Sequence, residues 1–232
     1  LQAIVSGIQL VKLGDANTVL AGGVEVMSRG PYILPKQRWG TRMGDASAVD
    51  MMLGALHDPF GIGHMGITAE NVAKDFEISR AEMDEFAAES QVRAKSAQSA
   101  GYFVEQICSL EVKDGRKVTT HETDEFVRGD TTLQSLSELR PAFEKDGLVT
   151  AGNSSGINDG TASIVLASKS AVAKNNVSPL ARIVSYGFGG VAPRIMGMGP
   201  VPASIMALER AGLSVNDLAV VESNEAFAAQ AC

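Results

Sequence analysis

Three segments of the sequence combine polar side chains with glycine or other small residues, a composition that lets a ligand approach the backbone closely. In the first, His64 and Met65 lie between Gly63 and Gly66, just ahead of a helical pattern. Glycine on both sides leaves room for a bound molecule near the histidine. A histidine packed at the start of a helix beside a core methionine has the same local sequence, so both interpretations stay open at this point.

The second segment is AGNSSG at residues 151–156. Its small side chains leave backbone amides and hydroxyls open to a bound molecule, although a structural turn ahead of a strand has a similar composition. It lacks the Gly-Lys-Ser/Thr ending of a phosphate-binding P-loop, and the chain has no dinucleotide-binding glycine fingerprint. Neither of these nucleotide-binding motifs is therefore predicted.

The third segment is ESNEAF at residues 222–227, between a predicted buried strand and a predicted helix. Ligands of open α/β sheets bind at such junctions. The amide of Asn224 can donate to a carbonyl oxygen that becomes negative during acyl transfer, or hold a water against it. Asparagine is also a common N-cap, which is the structural alternative.

The remaining histidines and the cysteines form no catalytic or metal-binding pattern. His57 lies seven residues before His64, but no third ligand stands at a zinc-like spacing, so we predict no metal site. His121 lies in a polar stretch and is predicted to face solvent. We predict that Cys108 and Cys232 are packing residues rather than nucleophiles.

Composition excludes several classes of protein. The 232 residues are 45% hydrophobic, and 27 acidic against 20 basic residues give a net charge of −7. Without a cationic block, a nucleic-acid partner is not expected. The apolar runs fall short of the ~18 residues that a membrane-spanning helix needs, so no membrane partner is expected either. Two distant cysteines suit a reducing compartment, and we predict a cytoplasmic protein.

Helical and strand patterns alternate along the chain, which indicates an α/β fold. A capping box of Ser79 and Glu82 marks the start of one helix. The first helix has no start signal, and the last has no stop before Cys232, which predicts an internal segment of a longer protein. Helices are predicted at 1–11, 68–76, 79–100, 201–211 and 226–231, and strands at 18–27 (buried on both faces), within 104–120, and at 162–167, 182–188 and 218–221.

Four separated motifs carry a family resemblance: AGGVEVMS at 21–28, GHMGITAENVAK at 63–74, VTAGNSSGINDGTA at 149–162 and NEAFAAQAC at 224–232. In this order and spacing they resemble the thiolases, the acetyl-CoA acetyltransferase or β-ketothiolase family, over essentially the whole chain. The resemblance implies a partial α/β thiolase fold, layered αβαβα, with an inserted α+β loop domain. The expected parts are 1–28 and 151–176 from the N-terminal core half, 29–150 as the loop domain, and 177–232 from the C-terminal core half.

The resemblance also implies a reaction. A cysteine thiolate takes an acyl group from one coenzyme A thioester, and acetyl-CoA then condenses with it to give a 3-ketoacyl-CoA and CoA; thiolysis is the reverse. No metal or redox cofactor is expected. The family places its nucleophilic cysteine just before Leu1 and its Gly-His-Pro histidine and second cysteine after Cys232. This chain alone is therefore expected to be inactive, and poorly stable because core strands lack their partners.

Site residues follow from the same resemblance. Asn224 is expected to hold a water that completes an oxyanion hole, and Met65 to limit acyl length. Arg128 is a cation suited to the phosphates of coenzyme A. The implied substrate contacts are Leu56, His64, Met65, Arg128, Ser135, Ala142, Phe143, Ala151, Ser155, Met196 and Phe227.

The family's assembly implies a homotetramer with contacts between about 29 and 45, and a place in fatty acid metabolism or polyhydroxyalkanoate biosynthesis. Two alternatives stay open. One is a degradative thiolase for long-chain 3-ketoacyl-CoA, although the His-Met pair at 64 and 65 favours short chains. The other is a non-catalytic module that binds coenzyme A.

Overall fold

The computed structural model describes all residues from 1 to 232. Tertiary contacts divide the chain into a first unit, residues 1–61 with 157–221, and a second unit, residues 62–156 with 222–232. The domain boundaries expected from the resemblance stay a prediction. The elements are α1 (Gln2–Leu13), β1 (Thr18–Glu25), β2 (Tyr32–Ile33), β3 (Val49–Asp50), α2 (Met51–Ala55), α3 (Met65–Asp75), α4 (Arg80–Ser99), β4 (Leu110–Asp114), β5 (Lys117–His121), α5 (Leu133–Ser137), β6 (Gly160–Ala167), α6 (Lys169–Asn175), α7 (Pro200–Ala211) and α8 (Ala228–Ala231).

The first unit is built on an antiparallel ribbon of β1 and β6, paired from Thr18 opposite Ala167 to Glu25 opposite Gly160. Helix α1 packs against this ribbon. Gly7 is buried at that contact, where an added Cβ would lie 2.7 Å from Cδ1 of Leu166. A residue without a side chain is therefore needed for the helix to approach the ribbon this closely.

Strand β1 confirms the predicted strand but not its burial on both faces. Ala21 is buried, whereas Leu20 and Val24 are 74% and 70% exposed. Successive strand residues point to opposite faces, and α1 covers the face that carries Ala21. The prediction that both faces are buried was wrong because an apolar run indicates only a tendency to be buried. Burial of both faces also requires a neighbouring layer on each face.

Two other predicted strands are wrong. Residues 182–188 and 218–221 are irregular, and Val184 and Val220 are 56% and 75% exposed. An extended segment becomes a strand only when its backbone groups pair with a neighbouring strand. The observed ladders join β1 to β6, β2 to β3 and β4 to β5, and neither segment takes part in them. The hairpin β4–β5 does confirm the strand-like pieces predicted within 104–120.

The second unit is formed around α3, α4 and α8, whose shared core consists of buried residues Ala69, Ala73, Met83, Val149, Ala228 and Ala229. Helix α4 begins with the predicted capping box, in which Ser79 and Glu82 bond reciprocally. Hydrogen bonds from the Ser79 backbone N–H and hydroxyl lower the pKa of the Glu82 carboxyl. The cap therefore persists under mild acid and is lost only as the pH falls through that lowered pKa.

None of the helices combines the length and the apolar composition that a membrane-spanning segment requires.

Candidate active site

His64 is the N-cap residue of α3, and its imidazole Nδ1 accepts a hydrogen bond from the backbone N–H of Gly66 at 3.0 Å. The helix therefore begins at Met65, three residues before the predicted start at Thr68, because the histidine side chain satisfies a free N–H of the first turn. With Nδ1 accepting, the neutral ring carries its proton on Nε2, which is a hydrogen-bond donor. The structure thus places this histidine at the start of a helix, as the structural interpretation expected, and the cap fixes the ring's orientation. Its contact with a substrate stays a prediction.

Three aromatic rings from distant segments meet beside this cap. The rings of His64 and Phe143 stack with centroids 4.7 Å apart at 19°, and Phe143 meets Phe227 edge to face at 6.1 Å and 82°. Gly66 makes room for the stack, since a Cβ there would overlap the ring of Phe143. The structure therefore brings together three of the predicted substrate contacts, with Met65 adjacent in the chain.

Glu70 holds the loop that carries Phe143, a role that sequence analysis missed. This carboxylate is only 6% exposed and accepts hydrogen bonds from the backbone N–H groups of Leu148 and Val149. The carbonyl of Val149 in turn accepts from the N–H of Ala142, beside Phe143. A charged residue on the apolar side of α3, between Ala69 and Ala73, was the available signal.

The loop at 151–156 pairs with the segment that carries Asn224. The N–H of Ser155 donates to the carbonyl of Ala226, and the N–H of Ala228 donates to the carbonyl of Asn153, both at 2.9 Å. The hydroxyl of Ser90 on α4 also donates to the Glu225 carboxylate at 2.6 Å. These contacts hold the Ser155 backbone against Ala226, which follows Asn224 by two residues.

Asn224 is exposed, so its amide is open to a bound molecule. The N-cap alternative for this residue is wrong, because α8 begins at Ala228 with Phe227 at the N-cap position. The predicted strand before it is absent, and the segment is positioned instead by its hydrogen bonds to α4 and to the 151–156 loop.

The other predicted contacts occupy more exposed positions. Arg128 is exposed; its backbone N–H donates to Gln91, and its guanidinium lies 5.6 Å from the centre of the Phe126 ring. Ser135 completes the capping box of α5, whose N-cap residue is Thr132: its hydroxyl oxygen accepts from the backbone N–H of Thr132 and the hydroxyl donates to the Thr132 carbonyl. Ala142 and Ala151 are exposed in the second unit, whereas Leu56 and Met196 belong to the first unit.

Neither cysteine is a packing residue as predicted, because both are exposed. The Cys232 thiol is nevertheless partly desolvated. This burial and the nearby Glu82 carboxylate raise the pKa of Cys232, so the thiol stays protonated at neutral pH. A protonated thiol is a weak nucleophile, which agrees with the prediction that Cys232 is not one. No cluster of three or more His, Cys, Asp or Glu side chains is arranged to hold a metal ion.

Family models match almost the entire chain. Residues 1–170 match the thiolase N-terminal domain, and residues 177–232 match the thiolase C-terminal domain. The chain belongs to the thiolase family. The resemblance and the α/β thiolase fold predicted from the sequence are thereby confirmed.

Similar proteins are named as thiolases or as acetyl-CoA acetyltransferases. The β-ketothiolase BktB of Cupriavidus necator is 57% identical over all of this thiolase chain and 59% of its own length. An acetyl-CoA acetyltransferase of Rhizobium meliloti is 49% identical with the same coverage. A crystal structure of human mitochondrial 3-ketoacyl-CoA thiolase in complex with CoA superposes with a TM-score of 0.93 at 47% identity, covering 99% of this chain and 57% of that one. The chain thus spans about three fifths of the length of the curated relatives it matches.

Proposed function

We propose that this thiolase chain forms part of the active site of an acyl-CoA C-acyltransferase, which condenses two acetyl-CoA molecules into acetoacetyl-CoA and CoA and also catalyses the reverse thiolysis. The observation that carries the proposal is the meeting of His64, Phe143 and Phe227 in one ring stack. The pairing of the Ser155 loop with the Asn224 segment supports it. The names of the relatives supply the reaction class.

The proposed reaction runs through a cysteine acyl-enzyme, with the cysteine at a family position that precedes Leu1. Its thiolate attacks the thioester carbonyl, and CoA leaves as its thiolate, which takes up a proton. A base then removes an α-proton from acetyl-CoA, and the resulting enolate carbon attacks the acyl-enzyme, which releases the cysteine thiolate. Splitting the transfer into two steps lowers each barrier.

We assign Asn224 to the enolate step. Its exposed amide donates to a water or directly to the thioester oxygen, where negative charge develops. The sulfur of the thioester already acidifies the α-proton, so the proposed chemistry uses neither metal nor redox cofactor. The CoA thioesters are substrates rather than resident groups.

Short acyl chains are the proposed substrates, because Met65 begins α3 directly after His64 and matches the family position that is expected to limit acyl length. The test compares thiolysis of acetoacetyl-CoA with that of 3-ketohexadecanoyl-CoA by the full-length protein. We expect a higher kcat/KM for acetoacetyl-CoA. A preference for the long chain would favour the degradative alternative, and binding of CoA without turnover would identify a non-catalytic module.

Arg128 is proposed to contact the phosphates of coenzyme A. Because this arginine is exposed, Arg128→Ala in the full-length protein is expected to lower kcat/KM for acetoacetyl-CoA by only about two- to fivefold. Acetoacetyl-pantetheine, which lacks the adenosine and its phosphates, should react equally well with both proteins. Arg93→Ala is the control, since Arg93 is an exposed arginine on α4 paired with Glu89. Equal losses for both substrates would contradict a phosphate contact.

We further propose a cytoplasmic homotetramer whose contacts include the stretch from 29 to 45. Trp39, 88% exposed, and Tyr32, 69% exposed, lie in this stretch among several cationic side chains. Large exposed aromatic residues are typical of protein interfaces.

A further inference from the structure

A buried chain of hydrogen bonds in the second unit has no role in the reaction as described above. Its centre is the pair of Asp84 on α4 and Asn153 in the 151–156 loop, each only 3% exposed. The amide nitrogen of Asn153 donates to the Asp84 carboxylate at 2.9 Å. The other carboxylate oxygen of Asp84 accepts from Nε of Arg80 at 2.7 Å.

Asn153 uses both ends of its side-chain amide. Its nitrogen donates to the carbonyl of Leu148 as well as to Asp84, and its oxygen accepts from the backbone N–H of Thr150 at 2.8 Å. Its own backbone carbonyl accepts from Ala228 at the start of α8. This one residue therefore sets the shape of the loop that carries Ser155 and ties that loop to the segment that follows Asn224.

Arg80 extends the chain to a third segment. Its Nη2 donates to the backbone carbonyls of Leu136, in α5, and Leu139. Leu136 lies in the last turn of α5, the helix that carries Ser135, and Leu139 follows the end of this helix. Both residues precede the segment that carries Ala142 and Phe143.

We propose that Arg80, Asp84 and Asn153 are positioning residues that hold three substrate-contacting segments in one arrangement: the end of α5, the 151–156 loop and the Asn224 segment. The catalytic consequence rests on the proposed function, whereas the positioning itself does not. A buried network whose polar atoms are satisfied has few alternative geometries, because any shift leaves a donor or acceptor without a partner. Coenzyme A binding and the enolate step should therefore depend on the same hydrogen bonds.

The first test is Asp84→Asn in the full-length protein. The new amide cannot accept hydrogen bonds from both Arg80 and Asn153, since one of its two terminal atoms is a donor. We expect kcat to fall and KM for CoA in thiolysis to rise together, with at least a tenfold loss of kcat/KM per folded site. Ser79→Ala is the matched control, because it weakens the same helix through its cap without touching the network. It should lower the melting temperature but leave both kinetic constants unchanged.

Exchanging the two side chains separates positioning from simple destabilisation. Asn153→Asp alone brings two carboxylates together, whereas adding Asp84→Asn restores a donor opposite an acceptor, although Leu148 still loses its partner. The double variant should recover at least threefold in kcat/KM over Asn153→Asp alone. Losses that multiply independently would overturn the proposal, because residues in one network are expected to be coupled.

Hydrogen exchange gives a readout that does not depend on turnover. In Asp84→Asn, amides at 150–156 and 226–228 should exchange at least tenfold faster, whereas those of the β4–β5 hairpin should not change. Unchanged exchange at 150–156 and 226–228 would overturn the positioning role even if activity fell. If the full-length wild-type protein showed no thiolysis, the proposed function would fail, and the exchange result would still decide the positioning role.

Discussion

Replacing Asn224 by alanine in the full-length protein is expected to lower kcat for acetoacetyl-CoA synthesis by about 10²- to 10³-fold, the usual cost of one lost oxyanion donor. KM should change little, because the amide acts on charge that develops only in the transition state. The measurement is kcat per folded site, with native structure checked by circular dichroism. Asn216→Ala is the control, since Asn216 is an exposed asparagine that precedes the same segment.

An aspartate at position 224 sharpens this prediction. It keeps the size of the side chain but places a carboxylate where the enolate oxygen becomes negative, so Asn224→Asp should be at least as slow as Asn224→Ala at neutral pH. An active Asn224→Asp variant would exclude the donor role. Normal turnover by the alanine variant would exclude any catalytic role for this residue.

Replacing Gly66 by alanine is expected to have the second largest effect, a loss of roughly tenfold to a hundredfold in kcat/KM, because small displacements at an active site can cost about that much. The added Cβ would overlap the Phe143 ring, so this ring must leave its position against His64. The loss of kcat/KM for acyl-CoA substrates should exceed the loss that reduced thermal stability alone would cause. A crystal structure of the variant would show the displaced ring.

Gly54→Ala is the matched control for this substitution. Gly54 also lies in a helix, and an added Cβ there would meet only Cγ1 of Val49 at 3.6 Å, an ordinary van der Waals distance. Alanine has a higher helix propensity than glycine, so neither substitution is expected to disrupt its helix through propensity alone. If both variants kept full activity, the ring stack would have no part in substrate binding.

Helices with their own start signals were predictable from sequence. The reciprocal bonds of Ser79 and Glu82 start α4 as expected, because both partners lie within one turn. The start of α3 was misplaced because histidine is not a usual N-cap, and its side-chain bond to Gly66 is visible only in the structure. Residues 182–188 and 218–221 were misassigned because an apolar run cannot specify which strand it will pair with.

Motif order identified the thiolase family and selected the residues that meet at the candidate site, because motifs and their spacing can be recognised without knowing which residues are in contact. The arrangement of those residues depended on the fold. Phe143 reaches His64 across 79 positions, and Asn153 reaches Asp84 across 69. Glu70 has only its place on the apolar side of α3 as a local signal, and Asp84, one turn after Arg80, has the spacing of an ordinary surface ion pair. Their other partners are groups in distant loops. Contacts of this kind leave no periodic signal, because they form only when packing brings the segments together.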